Sequence, residues 1–137
     1  MTMEEMEIEA ADENLAAVQS FVEEQLGAVD CPPKAQMQIG VAVEEIFINI
    51  AHYAYAPGTG RVTVRVEKSG DPAAVSINFM DRGIPYDPLA MPDPDVTLPA
   101  GERPVGGLGI FLTKKLLDDV SYEYRDGKNI LTLTKRL

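Results

Sequence analysis

Three polar side chains stand out in the largely apolar stretch EEIFINIAHYAY, which begins at residue 44. At about 100° per residue in an α-helix, Asn49 lies about 40° from Glu45, and His52 lies about 20° to the other side. These three side chains therefore form one polar stripe. An apolar stripe runs beside them, formed by Ile39, Val43, Ile46 and Ile50. The spacing therefore predicts a helix that faces both the core and the edge of a cavity, unless Glu45 and Asn49 simply face water.

A fourth candidate is Asp81, at the end of an alternating stretch in which Val75, Ile77 and Phe79 share one face. Asp81 keeps the same phase, so its side chain is expected to point inward. A buried carboxylate is costly unless it meets a strong hydrogen-bond donor. Gly83 follows in a sharp turn, where the absence of a side chain lets another group approach the backbone. The alternative is that Asp81 only caps this turn.

A glycine-rich segment, GGLGIFL at 106–112, is predicted to begin a helix. Free N–H groups and the positive end of the helix dipole make such a start suitable for an anion. The segment lacks the Lys-Ser/Thr of a P-loop, and it does not follow a strand as a dinucleotide fingerprint does. Taken alone, it is therefore weak support for a phosphate site.

The elements that must position these residues predict one domain over residues 1–137, of the α+β class. Strands are predicted at 3–10, 61–67, 75–81, 120–125 and 129–135, and helices at 13–26, 34–53 and 108–118. Consecutive strands are typical of hairpins, so we expect a mixed, mostly antiparallel sheet with about three helices on one face, a two-layer sandwich. Between them, the proline-rich stretch from about 85 to 107 predicts an active-site lid.

Composition excludes several classes of protein. With 12 Lys and Arg against 22 Asp and Glu, the net charge is −10, which disfavours nucleic-acid binding. The single cysteine, Cys31, cannot form an internal disulfide, and no Cys/His set has zinc spacing, so a reducing cytoplasm fits. The acidic N-terminus is no signal peptide, and no apolar stretch is long enough to span a membrane.

Taken together, the three motifs resemble those of the GHKL, or histidine-kinase-like, ATPase superfamily. EIFIN at 45–49 resembles its N box, DRGIP at 81–85 its Asp-x-Gly box, and GGLG at 106–109 its second glycine box. Within the superfamily, the chain is most similar to the bacterial anti-sigma-factor serine kinases, single domains of about this length with the same element order. YDP at 86–88 and the run at 106–124 carry that similarity, and the resemblance covers nearly the whole chain.

The resemblance implies a site for ATP and Mg²⁺. Asn49 would give its side-chain oxygen to Mg²⁺, and Asp81 would accept a hydrogen bond from the adenine amino group. Gly83 would let the base pack closely, and Glu45 would be the general base, one helical turn from the metal ligand. Further nucleotide contacts are expected at Tyr53, Gly106, Gly107, Leu108 and Gly109. The family pattern has His four residues after the Asn, where this chain has Tyr53; His52 comes one place early and faces the phosphates differently or has an ordinary structural role.

The resemblance further implies an ATP-dependent protein serine kinase that regulates a sigma factor by partner switching. The ATP-bound protein would hold the sigma factor until an anti-anti-sigma protein displaces it and is phosphorylated on a serine. One alternative is a regulatory module that binds ATP or ADP without kinase activity. Another is an interaction domain that has lost nucleotide binding. The family commonly dimerises through sheet surfaces, and the strand faces here would permit a homodimer.

Overall fold

Five strands and three α-helices form the part of the chain that the computed structural model describes, residues 2–70, 73–90 and 108–137. The strands are β1 (Thr2–Glu9), β2 (Arg61–Gly70), β3 (Ala73–Asp81), β4 (Asp119–Arg125) and β5 (Lys128–Arg136). The helices are α1 (Leu15–Gly27), α2 (Pro33–Asn49) and α3 (Leu108–Leu116). Turns of 3-10 helix lie at Asp12–Asn14 and Pro88–Ala90, and a π-helical turn, Ile50–Ala54, continues α2.

The strands form one sheet in the order β1-β2-β3-β5-β4. This confirms the predicted α+β class and the mostly antiparallel pairing; each described pairing is antiparallel, so the sheet is not mixed in the described residues. The reason lies in the connections: two helices between β1 and β2 return the chain to the end of the sheet where β1 finishes. There the amide of Ala10 donates to the carbonyl of Gly60 at 2.9 Å. The β4–β5 hairpin turns at Asp126 and Gly127, both with positive φ, as the Asp-Gly pair predicts.

The core lies between the helices and the inward face of the sheet. Alternation along β2 and β3 buries six apolar side chains to 1% exposure or less: Val62, Val64, Val66, Val75, Ile77 and Phe79. Val18, Val22 and Leu26 of α1 pack on them, with Ile39, Val43, Ile46 and Phe47 of α2. Burial of each such side chain stabilises the folded state by roughly 1.5–3 kcal/mol relative to leaving it exposed. The predicted apolar stripe of the second helix is therefore in the core, which fixes the direction of its polar neighbours. Among the described helices, none is both long and apolar enough to cross a membrane.

Candidate functional site

A cavity of about 520 Å³ opens where the C-terminal end of α2 and the following π-helical turn meet the sheet. Its walls are mainly apolar, with Ile46 and Ile50 on one side and Phe79 and Leu131 of the sheet on another. Ile110, in the first turn of α3, completes the wall. The polar groups are few: Asn49, Asp81 and Asn129, with three tyrosines, Tyr53, Tyr86 and Tyr122. An apolar cleft with a few converging polar groups is typical of a site for a small organic ligand.

Asp81 lies in this cavity and is 6% exposed, which confirms its predicted inward direction. Its Oδ1 accepts hydrogen bonds from the amide of Gly83 at 2.8 Å and from Nδ2 of Asn129 at 3.0 Å. Asp81 therefore also caps the turn, as the alternative prediction had it. Within the described part of the chain both bonds fall on Oδ1, which leaves Oδ2 to accept a hydrogen bond from a ligand.

Gly83 lets the turn after β3 pack directly on the π-helical turn. A Cβ atom at this position would lie 2.7 Å from the carbonyl carbon of Ala54 and closer still to its oxygen. The same Ala54 oxygen accepts a hydrogen bond from the amide of Ile84 at 3.0 Å. The close approach that was expected at Gly83 is thus made by the backbone of Ala54, which is itself a residue of the cavity wall.

Asn129, which the sequence analysis did not single out, is 7% exposed and joins several parts of the cavity. Its Nδ2 donates to Asp81 and, at 3.0 Å, to the carbonyl of Ile84. Its Oδ1 accepts from the amide of Tyr86 at 3.1 Å and from the hydroxyl of Tyr122. Burial raises the pKa of the Tyr122 phenol, so this group keeps its proton and donates. A signal was present, since Asn129 shares the inward phase of Leu131 and Leu133.

Tyr55 is a second residue that the sequence analysis did not assign to the site. Its hydroxyl donates to the carbonyl of Arg61 at 2.6 Å and accepts from the amide of Arg82 at 2.8 Å. Gly60 lies so close to the ring that a Cβ atom there would overlap it. Tyr55 thus ties the end of the π-helical turn to the start of β2 and to the turn that follows Asp81.

The predicted stripe on the second helix is only partly present. Asn49 is the last residue of α2 and lines the cavity, and Tyr53, 64% exposed, lies at its rim. Glu45, one turn earlier, is half-buried outside the described cavity wall, with its carboxylate against Gly109 of α3. His52 does not share the stripe: the π-helical turn changes its direction, and its Nε2 lies 2.8 Å from the carboxylate of Asp12 on the surface.

Part of the predicted phosphate site lies outside the described residues. This applies to Gly106, Gly107 and the part of the predicted lid from 91 to 107, whereas α3 is described from Leu108 onward. Among residues 2–70, 73–90 and 108–137, no group of three His, Cys, Asp or Glu side chains could hold a metal ion. A single amide oxygen, that of Asn49, suits Mg²⁺ when ligand phosphates and waters supply the remaining positions.

Comparison with known proteins extends these observations. The model of the histidine kinase-like ATPase domain family matches residues 8–135. The serine/threonine-protein kinase BtrW of Bordetella bronchiseptica is 29% identical over 104 residues, which cover 74% of this chain and 70% of that protein. The serine-protein kinase RsbW of Bacillus cereus is 26% identical over 95 residues, 66% of this chain. The chain spans 58% of the length of that Bacillus relative.

Two solved structures have the same fold. One contains the RsbU and RsbW domains of a Mycobacterium tuberculosis protein. The match covers all of this chain and 33% of the Mycobacterium chain, with a TM-score of 0.70 and 19% identity. The other is the histidine kinase domain of a blue-light activated histidine kinase from Erythrobacter litoralis. It matches 90% of this chain and 61% of its own, with a TM-score of 0.57 and 16% identity.

Proposed function

The chain belongs to the histidine kinase-like ATPase domain family, and from that membership we propose that it is an ATP-dependent protein serine kinase and anti-sigma factor. The observation that carries the proposal is the arrangement of three residues: Asn49 and Asp81 share one cavity, and Glu45 lies one helical turn before Asn49. The two relatives named as serine or serine/threonine kinases support the reaction class. The anti-sigma role rests on the motif resemblance.

In this proposal, the adenine ring of ATP lies between the apolar walls of the cavity. The free Oδ2 of Asp81 accepts a hydrogen bond from the exocyclic amino group of adenine. Guanine has a carbonyl oxygen at this position and cannot donate, so the contact selects adenine. Asn49, in the cavity wall, would hold Mg²⁺ through its amide oxygen. When bound with ATP, Mg²⁺ neutralises phosphate charge, which matters for a chain whose own net charge is −10. The backbone N–H groups of Leu108 and Gly109, at the start of α3, would donate to the phosphates. The same role is proposed for Gly106 and Gly107, which lie outside the described residues.

Glu45 is the proposed general base. It accepts the proton from a serine hydroxyl of the partner protein as the γ-phosphoryl group moves from ATP to that oxygen. Glu45 is half-buried, and its carboxylate lies beside the first turn of α3. The phosphorylated partner is the anti-anti-sigma protein, which displaces the sigma factor from the ATP-bound kinase in the cytoplasm.

Replacement of Glu45 tests the reaction most directly, and its neighbour Glu44 offers a matched control because it is exposed on the same helix. We expect Glu45→Gln to slow phosphoserine formation about 10²- to 10⁴-fold, the usual contribution of a general base. ATP affinity should be unchanged, and Glu44→Gln should behave as wild type. The assay uses an anti-anti-sigma protein from the same genome, with phosphoserine measured by mass spectrometry. Undiminished transfer by Glu45→Gln would contradict the assignment of the base.

A second candidate function is a nucleotide-binding regulator without kinase activity. The position of His52 favours it, because its Nε2 pairs with the carboxylate of Asp12 on the surface. Such a protein would bind ATP or ADP and change its affinity for the sigma factor, without forming phosphoserine on any partner. Phosphorylation of the anti-anti-sigma protein by the purified wild type rules this alternative out.

A further inference from the structure

We propose that Gly109 is a positioning residue for the carboxylate of Glu45: the bare Cα of Gly109 provides the space in which the base lies. The proposal rests on the proposed function for the catalytic role of Glu45. This role is separate from donating a backbone N–H group, because every other residue except proline would keep that N–H but would fill this space.

The contact between the two residues is direct. A Cβ atom built on Gly109 would lie 2.9 Å from Cδ of Glu45 and 3.4 Å from its Cγ, and it would overlap Oε2. Contacts below about 3.0 Å do not occur for real Cβ atoms, so one of the two groups must move. Gly40, inside α2, is the contrast, because a Cβ atom there would meet nothing within 4 Å.

The helix that carries Gly109 is held by buried side chains that directly follow this contact. Ile110 is 6% exposed in the cavity wall, and Thr113, one turn further on, is 1% exposed. The hydroxyl of Thr113 donates to the carbonyl of Gly109 at 2.9 Å. The backbone of Gly109 is therefore anchored by buried side chains and by a hydrogen bond.

The helix that carries Glu45 is held just as firmly, since its neighbours Ile46 and Phe47 are at most 2% exposed. The movable part of the contact is thus the end of the Glu45 side chain. With alanine at position 109, the carboxylate would turn away while both helices stay in place. This movement costs little stability, but it removes the base from the position that it needs for reaction.

The first test separates catalysis from binding and folding. We expect Gly109→Ala to lower kcat for phosphoryl transfer about 10- to 100-fold, since displacement of a reacting group by about 1 Å has effects of that size. KM for ATP should stay within about threefold, because the backbone N–H is retained. The melting temperature should be unchanged or higher, because alanine favours a helix over glycine. Gly40→Ala, the matched control, should leave kcat unchanged.

The second test asks whether Gly109 acts through Glu45. In a Glu45→Gln background the base is already absent, so Gly109→Ala should cause no further loss of kcat. In a Glu45→Asp background the shorter side chain leaves room for the new methyl group, so the loss caused by Gly109→Ala should be smaller than in wild type. An equal loss in all three backgrounds, or a rise in KM with kcat retained, would overturn the proposal and assign Gly109 to the phosphates alone.

A third measurement does not depend on kinase activity and keeps the proposal testable if the proposed function fails. Glu45→Ala removes the carboxylate from the space beside Gly109. Gly109→Ala should therefore raise the melting temperature more in the Glu45→Ala background than in wild type. Equal changes in the two backgrounds would show that the side chains do not meet, which would overturn the proposal even in an active kinase.

Discussion

At the scale of single residues, the alternation of β3 was sufficient to predict that Asp81 points inward, because one strand fixes the phase of its own side chains. Its partner Asn129 is 48 positions later in the chain, and the two meet only through the pairing of β3 with β5. A single sequence gives the inward phase of Asn129 but not the identity of the strand beside it. For the same reason Tyr55 was not predicted, since its bonds to Arg61 and Arg82 depend on where β2 begins and β3 ends.

Asn129→Ala should weaken ATP binding and lower stability. The substitution removes the donor to Oδ1 of Asp81 and the acceptor of the Tyr122 hydroxyl. The loss lowers the free energy of unfolding by about 1–3 kcal/mol. Asn78→Ala is a matched control, because Asn78 is on β3, bonds to Thr132 on β5 and lies outside the cavity wall. Melting curves and ATP titration of both variants measure the effect. Equal ATP affinities for the two variants would show that Asn129 has no part in holding Asp81 for the ligand.

At the scale of elements, the apolar periodicity predicted one helix over 34–53, whereas α2 ends at Asn49 and a π-helical turn follows. Between Gly40 and Pro57 no glycine or proline interrupts the sequence, so local signals do not mark this change. The contacts that accompany it are tertiary: the carbonyl of Ala54 accepts from Ile84, and the hydroxyl of Tyr55 bonds two other segments. A π-helical turn often marks a functional site, and here it forms one wall of the cavity.

Gly83→Ala should destabilise the packing of the turn after β3 on the π-helical turn. The new Cβ would overlap the backbone of Ala54, which is less free to move than the end of a side chain. We therefore expect the free energy of unfolding to fall by roughly 1–3 kcal/mol. Gly27→Ala, at the end of α1 where nothing lies within 4 Å, should change stability by no more than about 0.5 kcal/mol. Denaturant unfolding measures both. A Gly83→Ala variant as stable as Gly27→Ala would contradict the described contact.

At the scale of the whole molecule, the element order and the three motifs were sufficient to predict the fold class and the family, because they extend along nearly the whole sequence. The helices cover one face of the sheet. On the other, Arg61 pairs with Glu7 at 2.8 Å and Arg65 with Glu5 at 3.0 Å. Exposed pairs of this kind contribute about 0–1 kcal/mol each. A homodimer through this face is our proposal for the assembly, and the lid from about 85 to 107 stays a prediction.

The central claim is that the cavity around Asp81 binds ATP, and the measurement that tests it most directly is a melting curve with and without Mg·ATP. ATP at about 100 times its dissociation constant should stabilise wild type by about 2.7 kcal/mol, a rise of several degrees. Each variant is compared with its own melting temperature without nucleotide. We expect the rise to be lost in Asp81→Asn and kept in Asp119→Asn, an exposed control on β4. No rise in wild type, or an equal rise in Asp81→Asn, would contradict it.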